Sequence, residues 1–508
     1  MSNYITEPFD GLSPAEKLKL LNQKLGNSSD LVHTELFLGK FGQLQLHLLY
    51  MKGITATNEI NGIAEALQLS MGQQRLSAYD TFLEEKGGLL RTLAVPAAHS
   101  QQIAGLEQMT AYLLSGQLLI LAEGSRQCLA VNVSGGERRP VSEPATETVV
   151  RGPREGFTES IETNLALLRR KIKNPNLWIE NRQIGRISQT DVAIMYLNGI
   201  AKEEVVKEVR ARLDAIDIDA ILESGNIEEM IEDRKASVIP TIISTERPDV
   251  VASGILEGRV AIFVDGTPFV LMVPVFFIQF FQAAEDYYNR YTFSVLRVLR
   301  MFAFGISLLG PSLYVALTTF HQEAIPTPLL ISLAAQREGV PFPALVEALI
   351  MEITFEILRE AGVRMPRTIG QAVSIVGALV LGEAAVQAGL VSPAMVIVVS
   401  LTAISNFVIP VYNLALAVSM MRFIFMILAA TFGFFGISAG LVALLLHLCS
   451  LRSFGVPFMS PFAPMSFSGL RDSWLRFPIY WQKFRPPFLS PKNQRRMNDN
   501  VSEGEQNN

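Results

Sequence analysis

Charge is what this chain has least of. Asp, Glu, Lys and Arg supply 18% of its 508 residues, where soluble domains carry about a quarter. The shortfall is uneven: ionisable side chains thin out between Met301 and Met421, while residues 1–300 have an ordinary soluble composition. Part of the chain is therefore built to be solvated by lipid. Cysteine is scarce too. Cys128 and Cys449 lie in different halves with no histidine beside either, which excludes a disulfide framework and an activated thiol; both read as small buried residues. The five histidines (33, 47, 99, 321 and 447) are scattered, so no metal cluster is visible. A net charge of −5 gives no basic face for nucleic acid. No basic-then-apolar leader is read at the start, so the polar half is expected in the cytoplasm.

What the polar half does have is an internal repeat. FLGKFGQLQLHLLYMKGIT (37–55) aligns without gaps on QIGRISQTDVAIMYLNGIA (183–201), pairing Tyr50 with Tyr196 and Gly53 with Gly199. LLSGQLLILAEG (113–124) aligns on ILEGRVAIFVDG (255–266), pairing Gly116 with Gly258 and Gly124 with Gly266. The offsets, 146 and 142, nearly agree. Apolar runs ended by glycine predict buried strands, and AKEEVVKEVRARLDAI (201–216) predicts a helix between them. The fold class expected is α+β: two duplicated small cytoplasmic α/β domains, 1–133 and 157–266, followed by a helical polytopic membrane domain. Residues 134–156, rich in Gly, Pro and charge, read as a linker. GKFG at 39–42 lacks the Ser or Thr of a phosphate loop. No catalytic constellation appears, so a docking or sensing module is expected here, with no enzyme activity and no cofactor.

Beyond the repeat, 267–295 contains an aromatic run too short to span, fit for an interface or a buried position. Residues 301–320 carry no charge over twenty positions, enough for a bilayer core, and Gly310-Pro311 should kink them. PALVEALIMEITFEILREAG (343–362) is different. Pro343 and Gly362 bound a helix on which Glu352, Glu356, Arg359 and Glu360 share a face, while Glu347 falls on the apolar side. That helix either lies on the membrane surface or forms a polar wall of an ion path. A lone buried Glu347 would need protonation or a partner such as Arg364 or Arg367. Residues 384–421 are again without charge, interrupted by Asn406, Pro410 and Asn413. Within 296–450 the expected spans are 301–320, 370–388, 393–418 and 422–448, or six crossings if 267–282 and 343–361 also span. The basic tail, 451–508, is then cytoplasmic by the positive-inside bias. Candidate pore or gating residues are Glu347, Glu352, Glu356, Gly377, Gly382, Glu383, Asn406 and Pro410; Gly436 and Gly440, four apart, permit close helix approach.

RVAIFVDGTPFVLMVP, REGVPFPALVEALIMEITFEILREAGVRMPRTIGQAVSIVGALVLGEAAVQAGLVSPAMVIVVS and SPFAPMSF together resemble the A-subunit of the GerA spore germination family. The resemblance runs over roughly residues 160–490 and is dense between 258 and 410. It implies a subunit of a nutrient germinant receptor in the inner membrane of the spore, with its N-terminal domains and tail in the cytoplasm. It also implies partners: a transporter-like B-subunit, a lipoprotein C-subunit, and further copies of itself in a ring around a cation pore. Each copy would contribute part of 343–390 to that pore. A non-conducting scaffold that relays the signal is the competing expectation.

Overall fold

The computed structural model describes residues 12–38, 44–73, 100–103, 105–122, 128–135, 143–144, 147, 149, 151–283, 286, 292–364, 382–470, 473, 482–486, 488–489 and 493–497. In β2 (Leu44–Met51) the apolar run has two destinations. Leu46 and Leu48 enter one core with Ile60 and Leu67 of α2 (Thr57–Gln73), while Leu49 and Met51 enter another with Leu21 of α1 (Pro14–Lys24) and Leu113 of α3 (Leu106–Leu114). Successive strand side chains point to opposite faces, so a strand with apolar residues on both faces has to be covered twice. With β1 (Leu31–Leu38), β3 (Ser100–Ile103), β4 (Gln117–Ala122) and β5 (Cys128–Asn132), β2 makes a five-stranded sheet ordered β1-β2-β4-β5-β3. Burial pushes the Cys128 thiol up to about 12, as an inert core residue requires. Cys449, by contrast, is exposed, contrary to the expectation of two buried cysteines.

The second sheet repeats the first. β6 (Leu177–Ile184), β7 (Thr190–Leu197), β8 (Ile243–Thr245), β9 (Val260–Val264) and β10 (Val270–Val273) are ordered β6-β7-β9-β10-β8. The helices α4 (Ile161–Lys171), α5 (Glu203–Asp214), α6 (Ser224–Ile231) and α7 (Pro248–Glu257) accompany it. Register is repeated residue for residue. Val32 opposes Tyr50 as Trp178 opposes Tyr196, and Leu48 opposes Ile120 as Ile194 opposes Ile262. The shared glycines mark shared turns: Gly116 after α3 and Gly258 after α7 have φ of 81° and 104°. That left-handed backbone is one a side chain adopts only with strain.

One buried ion pair joins the repeats. Arg169 of α4 donates Nε to Asp30 Oδ2 at 2.8 Å and Nη2 to Asp30 Oδ1 at 3.0 Å. It also donates to Ser28 Oγ at 2.9 Å and to the Leu177 carbonyl at 2.6 Å. Ser29 N donates to the Ile179 carbonyl and Ile179 N to Ser28 Oγ. Residues 1–232, 244–274 and 484–496 accordingly form one compact unit. Part of the expected linker docks on it, since Arg247 donates to the carbonyls of Glu147 and Pro153. So does part of the basic tail, where Arg496 pairs with Glu257 at 3.0 Å.

Residues 233–243, 275–483 and 497–508 form the second unit. Its helices are α8 (Thr292–Thr319), α9 (Thr327–Arg337), α10 (Ala344–Arg364), α11 (Gly382–Gln387), α12 (Pro393–Phe407), α13 (Tyr412–Ser450) and the short α14 (Phe467–Leu470). β11 (Arg452–Ser453) pairs with β12 (Val456–Pro457). Among the described residues, two helices are long and apolar enough to cross a membrane, Ser294–Thr319 and Tyr412–Ser450. The 267–295 segment, expected to be interfacial or buried, contains the core strand β10 and a buried 3-10 turn at Phe277–Phe281. The expected spans differ from the observed helices in two places. The 393–418 span is cut between Phe407 and Tyr412, where Pro410 cannot donate to a continuing helix. The 422–448 span begins ten residues early and breaks at Gly433, whose φ of 58° and ψ of −139° leave the helical region. There the two legs fold onto each other: a Cβ on Gly436 would collide with the Leu428 carbonyl oxygen. The close approach expected of Gly436 is thus to the chain's own preceding leg. The expected span 370–388 lies largely outside the described residues.

Two outcomes test the first unit. Replacing Arg169 with Met strips Asp30 of its buried partner and should cost about 3–5 kcal/mol, read as faster hydrogen exchange in β1 and β6 together; unchanged exchange would show the joint is made elsewhere. Glu228 is pushed up to about 7 by burial, with Glu232 and Glu223 adding to it. Its folded value exceeds its ordinary one, so its contribution to stability is complete at low pH and is lost as pH rises through about 7. Exchange in α6 and β10 should therefore quicken between pH 5 and about 7, and less so in Glu228→Gln, which leaves only the share of Glu147, likewise pushed up to about 7 by burial. An identical pH profile in the variant would sink the assignment.

Candidate functional site

Pro311 sits inside α8, where a proline has no N–H to give the carbonyl four residues back. That carbonyl belongs to Ser307, and Arg422 of α13 takes it, donating Nε to Ser307 O at 2.7 Å. The same guanidinium donates Nη2 to Ser307 Oγ at 3.1 Å and Nη1 to Glu352 Oε2 of α10 at 2.5 Å. Arg422, Glu352 and Ser307 are all fully buried.

From Ser307 the network continues. Its hydroxyl donates to Asn406 Oδ1 of α12 at 3.1 Å, and Asn406 Nδ2 donates to Ser419 Oγ of α13 at 3.4 Å. Arg359 Nη1 donates to Ser419 Oγ at 3.1 Å, and Arg359 pairs with Glu356 one turn back on α10. Four helices thus contribute to one polar chain running from Glu352 to Glu356. Two carboxylate oxygens in it, Glu352 Oε1 and Glu356 Oε1, are buried and accept no hydrogen bond from the described residues. A carboxylate with an open, desolvated acceptor attracts a cation.

Glu347 belongs to a second group. Its Oε2 accepts the Ser392 backbone N–H at 3.0 Å and the Ser392 hydroxyl at 2.9 Å, while Oε1 accepts Arg337 Nε at 3.3 Å. Ser392 is the N-cap of α12. Glu347 therefore places a carboxylate where the free N–H groups and dipole of that helix favour negative charge. Its partner is Arg337, and Arg364 pairs instead with Glu360 on the exposed side of α10.

Of the residues singled out by sequence, Glu352, Glu356 and Asn406 come together in one network and Glu347 lies in the neighbouring one. Pro410 stands in the break between α12 and α13. Gly382 starts α11 with nothing nearer than 3.7 Å to a Cβ built on it, and Glu383 is exposed, accepting from Gln387 at 3.0 Å. Gly377 lies outside the described residues. The acids do not form one water-facing wall: Glu347 and Glu352 are inside the unit, while α10 turns Ile350, Ile353 and Ile357 outward. Gly362, expected to end the helix, is inside it. Arg422 was the residue missed. A single arginine in the apolar run 412–450, with Ser307 placed four before Pro311, was the signal for it.

A sequence model of the family described as Bacillus/Clostridium GerA spore germination protein matches residues 19–488. Spore germination protein KA of Bacillus subtilis (strain 168) is 47% identical, over 97% of this chain and 93% of that one. The uncharacterized membrane protein YfkQ of the same organism is 45% identical, over 87% of this chain and 84% of its own length. Among solved structures, the N-terminal domain of the A subunit of the Bacillus megaterium spore germinant receptor GerK3 is 38% identical. That match covers 52% of this chain and 96% of that one, with a TM-score of 0.39.

Glu352→Gln leaves the Arg422 charge buried without its counter-ion, a change expected to destabilise the helical unit by about 3–5 kcal/mol. Replacing the pair together, Glu352→Leu with Arg422→Met, should recover most of that loss. Melting the full chain in detergent distinguishes the cases. If the double variant melts no higher than the single one, the pair is not the coupled unit described.

Proposed function

The chain belongs to the family of Bacillus/Clostridium GerA spore germination proteins, and from that premise we propose that it is the A-subunit of a nutrient-responsive germinant receptor. It works in the spore's inner membrane beside a transporter-like B-subunit and a lipoprotein C-subunit. Its helical unit spans the membrane, with the sheet unit and tail in the cytoplasm. Copies of the chain form a ring through which cations leave when nutrient binds. The observation that carries the receptor reading is family membership over nearly the whole chain.

Conduction rests on the polarity of the helical unit. Ile397, Leu401 and Ile404 of α12 are exposed, as are Met420, Ile424 and Ile427 of α13, each set at helical spacing. Ionisable Glu347, Glu352 and Arg422 are buried. Apolar outside and charged inside is the arrangement lipid imposes, and ionisable groups at membrane depth mark pathways and gates. In this reading the Glu352–Arg422 pair holds the resting helices, and nutrient favours an arrangement in which it is parted. The outward stripe of α10, Ile353, Ile357 and then Glu360, faces the shared path, its acid repeated by symmetry into a cation-attracting ring.

The test is cation current across a bilayer holding the chain with its B and C partners, with and without nutrient. Glu360→Gln should lower cation selectivity, and Glu352→Gln should leave current flowing without nutrient. A complex that binds nutrient and passes no current would instead make the chain a scaffold.

A further inference from the structure

In the first sheet, Glu35 of β1 lies directly opposite His47 of β2, and His33 is two residues from Glu35 on the same strand. Residues two apart share a face and opposed residues share it too. The three side chains therefore converge. His33 Nε2 is 2.9 Å from His47 Nδ1, and the rings stack with centroids 5.1 Å apart. Glu35 Oε1 is 3.9 Å from His47 Nδ1, while its other oxygen accepts Gln45 Nε2 at 3.1 Å. One ligand atom from each of His33, Glu35 and His47 lies within 4.8 Å of the others.

We propose that His33, Glu35 and His47 bind a divalent first-row transition ion of the Zn2+ type. Imidazole nitrogens and a carboxylate are the ligands such an ion takes, at about 2.0–2.2 Å each. Two nitrogens on one tetrahedral ion stand about 3.3 Å apart, so the rings need to separate by only a few tenths of an ångström. Glu35 is exposed and can close the remaining gap by rotating its own side chain. The hydrogen now shared between the rings moves to the outer nitrogen of whichever ring holds it, so binding releases no net proton. Water from solvent completes the coordination.

A plain histidine–histidine hydrogen bond would satisfy the same two nitrogens. Two observations favour the ion. Gln45 holds Glu35 as an outer-shell partner holds a ligating carboxylate. The second repeat, built in the same register, has Ile179, Asn181 and Ala193 at the three places. The fold therefore has no need of His33, Glu35 and His47, and they are an addition to one copy. β1 is the edge strand of its sheet, so an ion here would fasten that edge to β2.

The experiment is a titration of the chelator-stripped full chain, in detergent, with Co2+, reading the visible bands that protein nitrogen ligands induce, followed by displacement with Zn2+. One saturable site is expected, weakened at least ~10-fold in both His33→Gln and Glu35→Gln and unaltered in His447→Gln. His47 is buried and its variant risks misfolding, so the half-buried His33 and exposed Glu35 carry the test, with circular dichroism confirming that both variants fold. No saturable binding by the parent chain overturns the proposal. So does a site that ignores both variants, or one lost in His447→Gln.

Discussion

A guanidinium buried among apolar helices has to be matched, and Arg422 is matched by both a charge and a backbone carbonyl. Glu352 supplies the charge; Pro311, by lacking an N–H, supplies the carbonyl of Ser307. Either alone would leave part of a five-donor group unsatisfied, at the desolvation cost that makes buried half-pairs so unstable. Because Ser307 passes the interaction to Asn406 and Ser419, the positions of α8, α10, α12 and α13 are set by polar atoms of defined geometry. In the membrane position proposed for these helices, where lipid is as apolar as leucine, hydrophobicity alone would fix no register between them.

The sheet unit distributes its charge differently. Its strands bury apolar residues on both faces, its helices turn charge outward, and one of its buried arginines, Arg169, serves the joint between the repeats. Arg169 and Arg422 nonetheless solve the same problem alike, each spending donors on a carboxylate, a serine oxygen and a main-chain carbonyl. The likeness follows from guanidinium geometry, whichever solvent lies outside.

How much of this was legible in the sequence depends on the range of the interaction. The strand pairs and their duplication were visible because alternation and glycine turns are local. The four-residue change of offset falls between α2 and β3, and strand register is untouched by it. Glu347 and Glu352 were visible as anomalies, yet their partners were not: Arg337 lies in a separate helix and Arg422 seventy residues on. A helical wheel ranks residues by face without knowing what that face meets. So it put Glu352 beside the exposed Glu360, whereas packing buries one and leaves the other in the open. The meeting of His33 with His47 was hidden for a related reason: scattered positions become neighbours once a hairpin register is known.

Duplication gives a way to separate what the scaffold needs from what has been added to it. α1 and α4 are equivalent helices of equal length, and Asn22 stands where Arg169 stands. Asp30 likewise has Asn176 as its counterpart at the head of the second sheet. At these two positions the charges therefore occur where the two copies meet, and their counterparts, Asn22 and Asn176, are neutral. A repeat array that used identical joints would present the same complementary surfaces at both ends and could go on adding units. Here the joint is chemically distinct from the ends, and two copies make a closed set.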